Sequence, residues 1–269
     1  MTVTEQEDPL LFKKIEDHIM QGEIIGIDPR VFRILDNPDS AEAEIVGIEK
    51  MIDVKLALRL RNMANSVYYG MHRHGTVNKF NDVITSIGMQ PAKLFVIALA
   101  LFSRLDAEHK MIEVESFAVS MFAKVLAEEM NFTKSAVENA EIGGLFLNLG
   151  RMAIARYEIG ENVTIDPSFI EQNHREFAVK IIEKLTLPPF LADVVLENRF
   201  TLQRNSLSIS GIVYLAKSLV EKIIRETGII EIRSPMPGVE NNLETTIGLK
   251  ISEYFNLIGL GKYLRVILS

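Results

Sequence analysis

The stretch "IDPRVFRILDNP", residues 27–38, shows how the elements of this chain begin and end. Asp28 is a residue type that caps helix N-termini, because its carboxylate accepts a hydrogen bond from a free backbone N–H. Pro29 suits the first helical position, where its missing N–H has no partner to lose. Pro38 cannot continue the helix. The stretch therefore predicts a short helix with defined ends.

Helical spacing of apolar residues extends outward from this stretch over most of the chain, and long runs of strict alternation are hard to find. We therefore predict an all-α fold. Asp53 and Thr133 are predicted to cap two further helices. Asn173 with Glu176 three residues later has the spacing of a capping box, which places the start of another helix there.

Composition indicates a globular protein with a substantial core. Hydrophobic residues make up 48% of the 269 positions, and cysteine is absent. The lack of cysteine excludes disulfides and thiolate catalysis and fits a reducing compartment, so we expect a cytoplasmic protein. The N-terminus is acidic and lacks the pattern of a secretory signal. The longest apolar run, Leu94–Phe102, falls short of the ~20 residues of a membrane span and predicts a buried helix without a membrane partner.

Charge and aromatic content argue against nucleic acid as a partner. The formal net charge is −7, tryptophan is absent and aromatic residues make up only 7% of the chain. No segment is dense enough in Lys and Arg to follow a phosphate backbone. Stacking platforms for single strands are also poorly supplied.

The chain shows no internal repeat, low-complexity tract or Gly/Ser linker, so we expect a single domain with two helical lobes. The predicted N-terminal lobe is residues 1–110 and the second lobe is residues 111–228, with the lobes meeting between residues 105 and 115. A C-terminal part, residues 229–269, is predicted to contain a surface loop over 231–242 and a helix around Thr245 to Phe255.

The stretch "GGLFLNLGR", Gly143–Arg151, bears directly on catalysis. Many hydrolases place adjacent His and Asp side chains before such a Gly turn to hold a divalent ion. Here Leu147 offers no ligand atom, and the neutral amide of Asn148 is a weak replacement for a carboxylate. We therefore predict a degenerate metal position, with no resident metal or other cofactor.

Other routes to catalysis also lack support in the sequence. The chain has no Gly-x-Ser-x-Gly nucleophile elbow, no cysteine nucleophile and no Gly-rich phosphate loop. No two histidines have the i, i+4 spacing of a helical metal site. We predict no catalytic residues.

The order of these segments resembles the HDOD domain, a relative of the HD-domain phosphohydrolases. The resemblance covers most of the chain and includes "FNDVITSIG" and "AEIGGLFLNLGRMAIARY". The matching positions are Asn65, Ser66, Tyr68, Tyr69 and Gly70, then Ile87 and Gly88, then Gly144, Leu145, Gly150 and Arg151, and finally Glu171, His174, Leu187 and Pro188. Two departures are Leu147-Asn148, where the family usually has His-Asp or His-Asn, and Glu197-Asn198, where paired histidines often follow.

The resemblance implies a two-lobed helical fold and a bacterial signalling context. We expect Asn65 and Ser66 to bind free backbone carbonyls at the end of their helix. Tyr68 and Tyr69 are expected to point in different directions, and His72 and His74 to lie in a solvated turn. The alternative functions depend on other residues of the chain.

Our leading hypothesis is a non-enzymatic signalling module that binds a protein partner in trans. A metal-dependent phosphohydrolase of the HD type is the first alternative. The second is a sensor that holds a nucleotide or another small anion near Arg151 and His174 in the vacated cleft. HD-type enzymes often carry a basic residue facing substrate phosphate at the position of Arg151, and His174 is expected in the first turn of its helix.

Overall fold

The computed structural model describes residues 9–21, 26–65, 77, 79–196, 208–227, 230–233, 256 and 261–267. These residues are mostly helical, which confirms the predicted all-α fold class. The helices are α1 (Pro9–Gln21), α2 (Pro29–Asp36), α3 (Glu42–Gly47), α4 (Val54–Asn65), α5 (Phe80–Ile87), α6 (Met89–Phe102), α7 (Lys110–Glu129), α8 (Lys134–Phe146), α9 (Leu149–Glu161), α10 (Pro167–Lys184), α11 (Phe190–Leu196) and α12 (Ile209–Thr227), with 3₁₀ turns at Ile48–Lys50 and Gly261–Tyr263.

Two short strands add to the helical fold. β1 (Ile230–Arg233) pairs in parallel with β2 (Leu264–Ile267), with Ile230 opposite Leu264. The loop predicted over residues 231–242 is therefore wrong at its beginning, where alternating Ile and charged residues favour a strand. The helix predicted around Thr245 to Phe255 lies outside the described residues.

The chain divides into two compact units. The first contains the described residues within 1–25 and 101–219, and the second those within 26–100 and 220–269. This division differs from the predicted lobes, because α1 packs on α9 and α10 of the first unit instead of joining residues 26–100. The end of α12 belongs to the second unit together with the strands.

Several helix starts lie where the sequence predicted them. The carboxylate of Asp28 accepts the N–H of Arg30 at 2.9 Å, and that of Asp53 accepts the N–H of Lys55 at 2.8 Å. The hydroxyl of Thr133 accepts the N–H of Ala136 at 3.3 Å. Each cap satisfies a backbone donor that the first turn leaves without an intrahelical partner.

The predicted start at Asn173 is wrong. α10 begins at Pro167, and the carboxylate of Asp166 caps it by accepting the N–H of Ser168 at 2.7 Å. Asn173 lies inside the helix and donates to the carbonyl of Phe169 at 2.8 Å. An Asp-Pro start is the stronger signal because it supplies the cap and the fixed φ together.

The apolar run Leu94–Phe102 lies in α6 and is buried along its whole length, which confirms the predicted core helix. Within the described part of the chain, no helix taken singly has the length and apolar character to cross a membrane. The consecutive helices α5 and α6 meet these criteria as a pair, with a bend of 115° between them.

Two glycines permit very close helix packing in the first unit. A Cβ atom on Gly144 of α8 would lie 2.5 Å from the Cα of Ser120 on α7. A Cβ atom on Gly150 of α9 would lie 1.6 Å from the carbonyl oxygen of His174 on α10. Both distances are shorter than any real contact of these atoms. The helix crossings on either side of residues 147 and 148 therefore require glycine.

We expect Gly150→Ala to lower the free energy of unfolding by about 3 kcal/mol, because the added methyl group must push two backbones apart. Gly47→Ala is the matched control: its Cβ would meet only the Cε of Met51, at 4.0 Å. Alanine there should be neutral or stabilising by up to ~1 kcal/mol. Urea denaturation of both variants measures the difference. Equal stabilities would contradict the packing described here.

Candidate functional site

The degenerate metal position lies in the turn between α8 and α9. Leu147 is 8% exposed and Asn148 is 2% exposed. The side-chain amide of Asn148 donates to the hydroxyl oxygen of Ser116 on α7 at 3.3 Å, and that hydroxyl donates to the carbonyl of Ile112 at 2.8 Å. The Asn148 side chain therefore links the turn to α7.

The buried carboxylate of Glu141, earlier on α8, pairs with a lysine. Lys124 Nζ on α7 lies 2.8 Å from Glu141 Oε2, and both side chains are almost fully buried. Burial lowers the pKa of Lys124, and the nearby carboxylate of Glu141 opposes that shift. The Ser120 hydroxyl also donates to the Glu141 carbonyl at 2.8 Å. Sequence reasoning did not find this pair, which contributes to holding α7 against α8.

The structure places the two predicted anion-binding residues near each other. His174 lies in the middle of α10, not in its first turn as predicted, because α10 begins at Pro167. Its Nδ1–H donates to the carbonyl of Ile170 at 2.9 Å. Burial lowers the pKa of His174, and the positive charge of Arg151 lowers it further. The guanidinium of Arg151 forms an ion pair with Glu171.

These contacts give both residues a structural role. A lowered pKa favours neutral His174 at pH 7, and its Nδ1–H is already used by the Ile170 carbonyl. The remaining ring nitrogen of the neutral tautomer is an acceptor, which does not attract an anion. The charge of Arg151 is matched by Glu171. Anion binding at this pair stays a prediction.

The side chain of Asn65, the first residue of the motif that ends at Gly70, is hydrogen-bonded to the backbone of Val77. Its Nδ2 donates to the carbonyl of Val77 at 2.9 Å, and its Oδ1 accepts the N–H of Val77 at 2.6 Å. The prediction that Asn65 binds carbonyls of its own helix end is therefore wrong about the partner. A side-chain amide has both a donor and an acceptor and can match a complete peptide group.

Several residues singled out from the sequence lie outside the described residues. They are Ser66, Tyr68, Tyr69, Gly70, His72, His74, Glu197 and Asn198.

A polar cluster that sequence reasoning missed joins the start of α7 to the end of α9. His109 Nδ1 lies 2.8 Å from Asp106 Oδ1, and its Nε2 lies 3.1 Å from Glu158 Oε2. The other oxygen of Glu158 accepts the N–H of Ile165 at 2.6 Å. The hydrogen bond with His109 lowers the pKa of Asp106. Asp106 is close to His109 in the chain, but Glu158 is 49 residues away from His109, so spacing alone gave no signal for the cluster.

The residues at the degenerate position do not fit a divalent metal ion. An HD-type site needs several His and carboxylate side chains that converge from different helices. Within the described ranges, no three or more His, Cys, Asp and Glu side chains form a group that could hold a metal ion. At the position itself, Leu147 has no ligand atom, and Asn148 is bonded to Ser116.

Comparison with known proteins gives the family of this helical chain. The HDOD domain model matches residues 27–199. The chain belongs to the HDOD domain family. The predicted resemblance is thus confirmed. No curated protein matches the chain.

Solved structures share the fold at low sequence identity. An "HDOD domain protein with unknown function" from Geobacter sulfurreducens is 19% identical, with a TM-score of 0.53, and the match covers 93% of this chain and 90% of that one. A "Putative metal-dependent phosphohydrolase" from Shewanella amazonensis SB2B is 16% identical, with a TM-score of 0.62 and coverages of 92% and 95%. A "Putative signal transduction protein" from Marinobacter aquaeolei VT8 is 14% identical, with a TM-score of 0.52 and coverages of 94% and 66%.

The lowered pKa of His174 predicts a pH dependence of stability. The unfolded chain binds the His174 proton more tightly than the folded chain, so stability is lost as pH falls from about 6.5 through the folded-state pKa. We expect His174→Gln to remove the part of the stability loss that protonation of His174 causes. Urea denaturation at a series of pH values from about 7.5 to about 5 measures how the free energy of unfolding changes with pH. Because all other titrating groups are common to both proteins, identical pH profiles would contradict a lowered pKa.

Proposed function

We propose that this protein is a non-enzymatic regulatory module that acts by binding a protein partner in trans. The observation that carries the proposal is the buried Leu147-Asn148 pair, whose amide is hydrogen-bonded to Ser116. A position that would bind a metal in an HD-type hydrolase is used here for packing between helices. Function then depends on the surface of the helical fold.

Family membership supports the regulatory part of the proposal. The chain belongs to the HDOD domain family, and one of its structural neighbours is described as a signal transduction protein. Partner recognition needs only a stable surface of complementary shape and charge, without a metal or a nucleophile. The proposed working compartment is the cytoplasm, and affinity capture from the source organism would identify the partner.

The alternatives predict different measurements. A phosphohydrolase of the HD type would need a bound metal ion to activate water, and two structural neighbours carry a phosphohydrolase description. An anion sensor near Arg151 and His174 would show a higher melting temperature with a nucleotide, because the ligand binds only the folded state. Loss of that increase in Arg151→Ala would support the sensor.

We expect the purified chain to show no phosphatase or phosphodiesterase turnover with Mn²⁺, Fe²⁺, Mg²⁺ or Zn²⁺, because the donor set around Asn148 does not wrap an ion. Elemental analysis after dialysis should find less than stoichiometric metal. Asn148→Ala serves as the matched control for any residual activity. Metal-dependent turnover that falls in Asn148→Ala would reject the non-enzymatic function.

A further inference from the structure

Helix α1 lies outside the family-matched residues and covers a face of the first unit formed by α9 and α10. Ile15 and Ile19 are fully buried there. The ring of Phe12 stacks on Phe177 of α10, with 4.6 Å between ring centroids and 23° between planes. α1 is therefore held by an aromatic anchor followed by two aliphatic side chains on the same helical face.

Two lysines of α10 add polar contacts to this apolar face. Lys180 Nζ lies 2.8 Å from Glu16 Oε1 and 5.7 Å from the centroid of the Phe12 ring. Lys184 Nζ donates to the carbonyls of Ile19 at 2.6 Å and Met20 at 2.7 Å. A cation at this place satisfies carbonyls that the last helical turn leaves free and complements the helix dipole.

Together these contacts recognise a helix by its pattern and its direction. Phe12, Ile15, Glu16 and Ile19 have the i, i+3, i+4, i+7 spacing by which amphipathic helices dock into grooves. Lys184 adds direction, because only a helix end presents free carbonyls. The opposite face of α1 leaves Leu10 63% exposed.

Helix α1 also has properties that allow its release from this face. α1 has 13 residues, a length at which an isolated helix is marginal in water, so its helical form depends on the face that it covers. It is joined to α2 of the second unit through residues 22–28, while its contacts are with the first unit. Release of α1 breaks its contacts with α9 and α10.

We infer that the α9–α10 face is a helix-binding groove, that α1 occupies it in cis, and that the protein partner docks there through an amphipathic helix of the same pattern. The inference rests on the proposed function and names the class of partner. The partner helix carries an aromatic anchor, a carboxylate four residues later to meet Lys180, and a C-terminus that meets Lys184. The partner takes the place of α1 on this groove, so partner binding releases the N-terminal segment that contains α1.

The test uses a labelled peptide with the sequence of Pro9–Gln21 as the probe and the full chain as the receptor. The anchor-free variant, Phe12→Ala/Ile15→Ala, removes the aromatic anchor and one of the two buried aliphatic side chains of α1, and it leaves the sequence of α9 and α10 unchanged. We expect this variant to bind the peptide about tenfold more tightly than the native chain, in which α1 competes. Leu10→Ala, on the exposed face of α1, is the matched control and should bind like the native chain.

Charge exchange tests the geometry of the groove. Lys180→Glu in the anchor-free variant should weaken the native peptide, and a peptide with Glu16→Lys should restore the binding. Circular dichroism and amide exchange in α9 and α10 establish that each variant is folded.

A folded anchor-free variant with the same peptide affinity as the native chain would overturn the inference. A native dimer that exchanges α1 between copies, detected by light scattering and crosslinking, would also overturn occupation in cis. Failure of the proposed function is a separate result, because it takes the form of metal-dependent turnover, which peptide binding does not measure.

Discussion

Close approach of helix backbones at Gly144 and Gly150 is the constraint on which the first unit depends. These glycines bring α8 against α7 and α9 against α10 at distances that no side chain allows. The turn between them then has no space to open, so Leu147 and Asn148 are buried. A leucine and a hydrogen-bonded amide are compatible with such a place, because neither leaves a charge without compensation.

The sequence predicted those parts of the fold that depend on neighbouring residues. Caps at Asp28, Asp53 and Thr133 involve partners two or three positions away, and their residue types are sufficient evidence. The family motif predicted a turn at Gly150, whereas the structure has the turn at residues 147 and 148 and Gly150 inside α9, where it permits close packing on α10. The site itself was less predictable, because its contacts join distant positions. Lys124 with Glu141 and Asn65 with Val77 depend on which helices meet, and no local pattern encodes that.

Two pairs of buried polar side chains connect helices of the first unit. Ser116 binds Asn148, and Lys124 pairs with Glu141. Buried polar groups matched in this way hold helices in register. The face that carries α1 differs, because its contacts recognise a helix by shape, charge and direction. We therefore place the proposed function at the face that α1 covers, and not at Leu147 and Asn148.

A double-mutant cycle between Asn148 and Ser116 tests the central claim most directly, with stability and metal content measured for each protein. Asn148→Ala and Ser116→Ala should each reduce the free energy of unfolding, and their coupling should be about 1 kcal/mol, because the two side chains share a buried hydrogen bond. None of the four proteins should differ in bound metal. Independent effects on stability, together with metal bound by the native chain and lost in Asn148→Ala, would contradict the account.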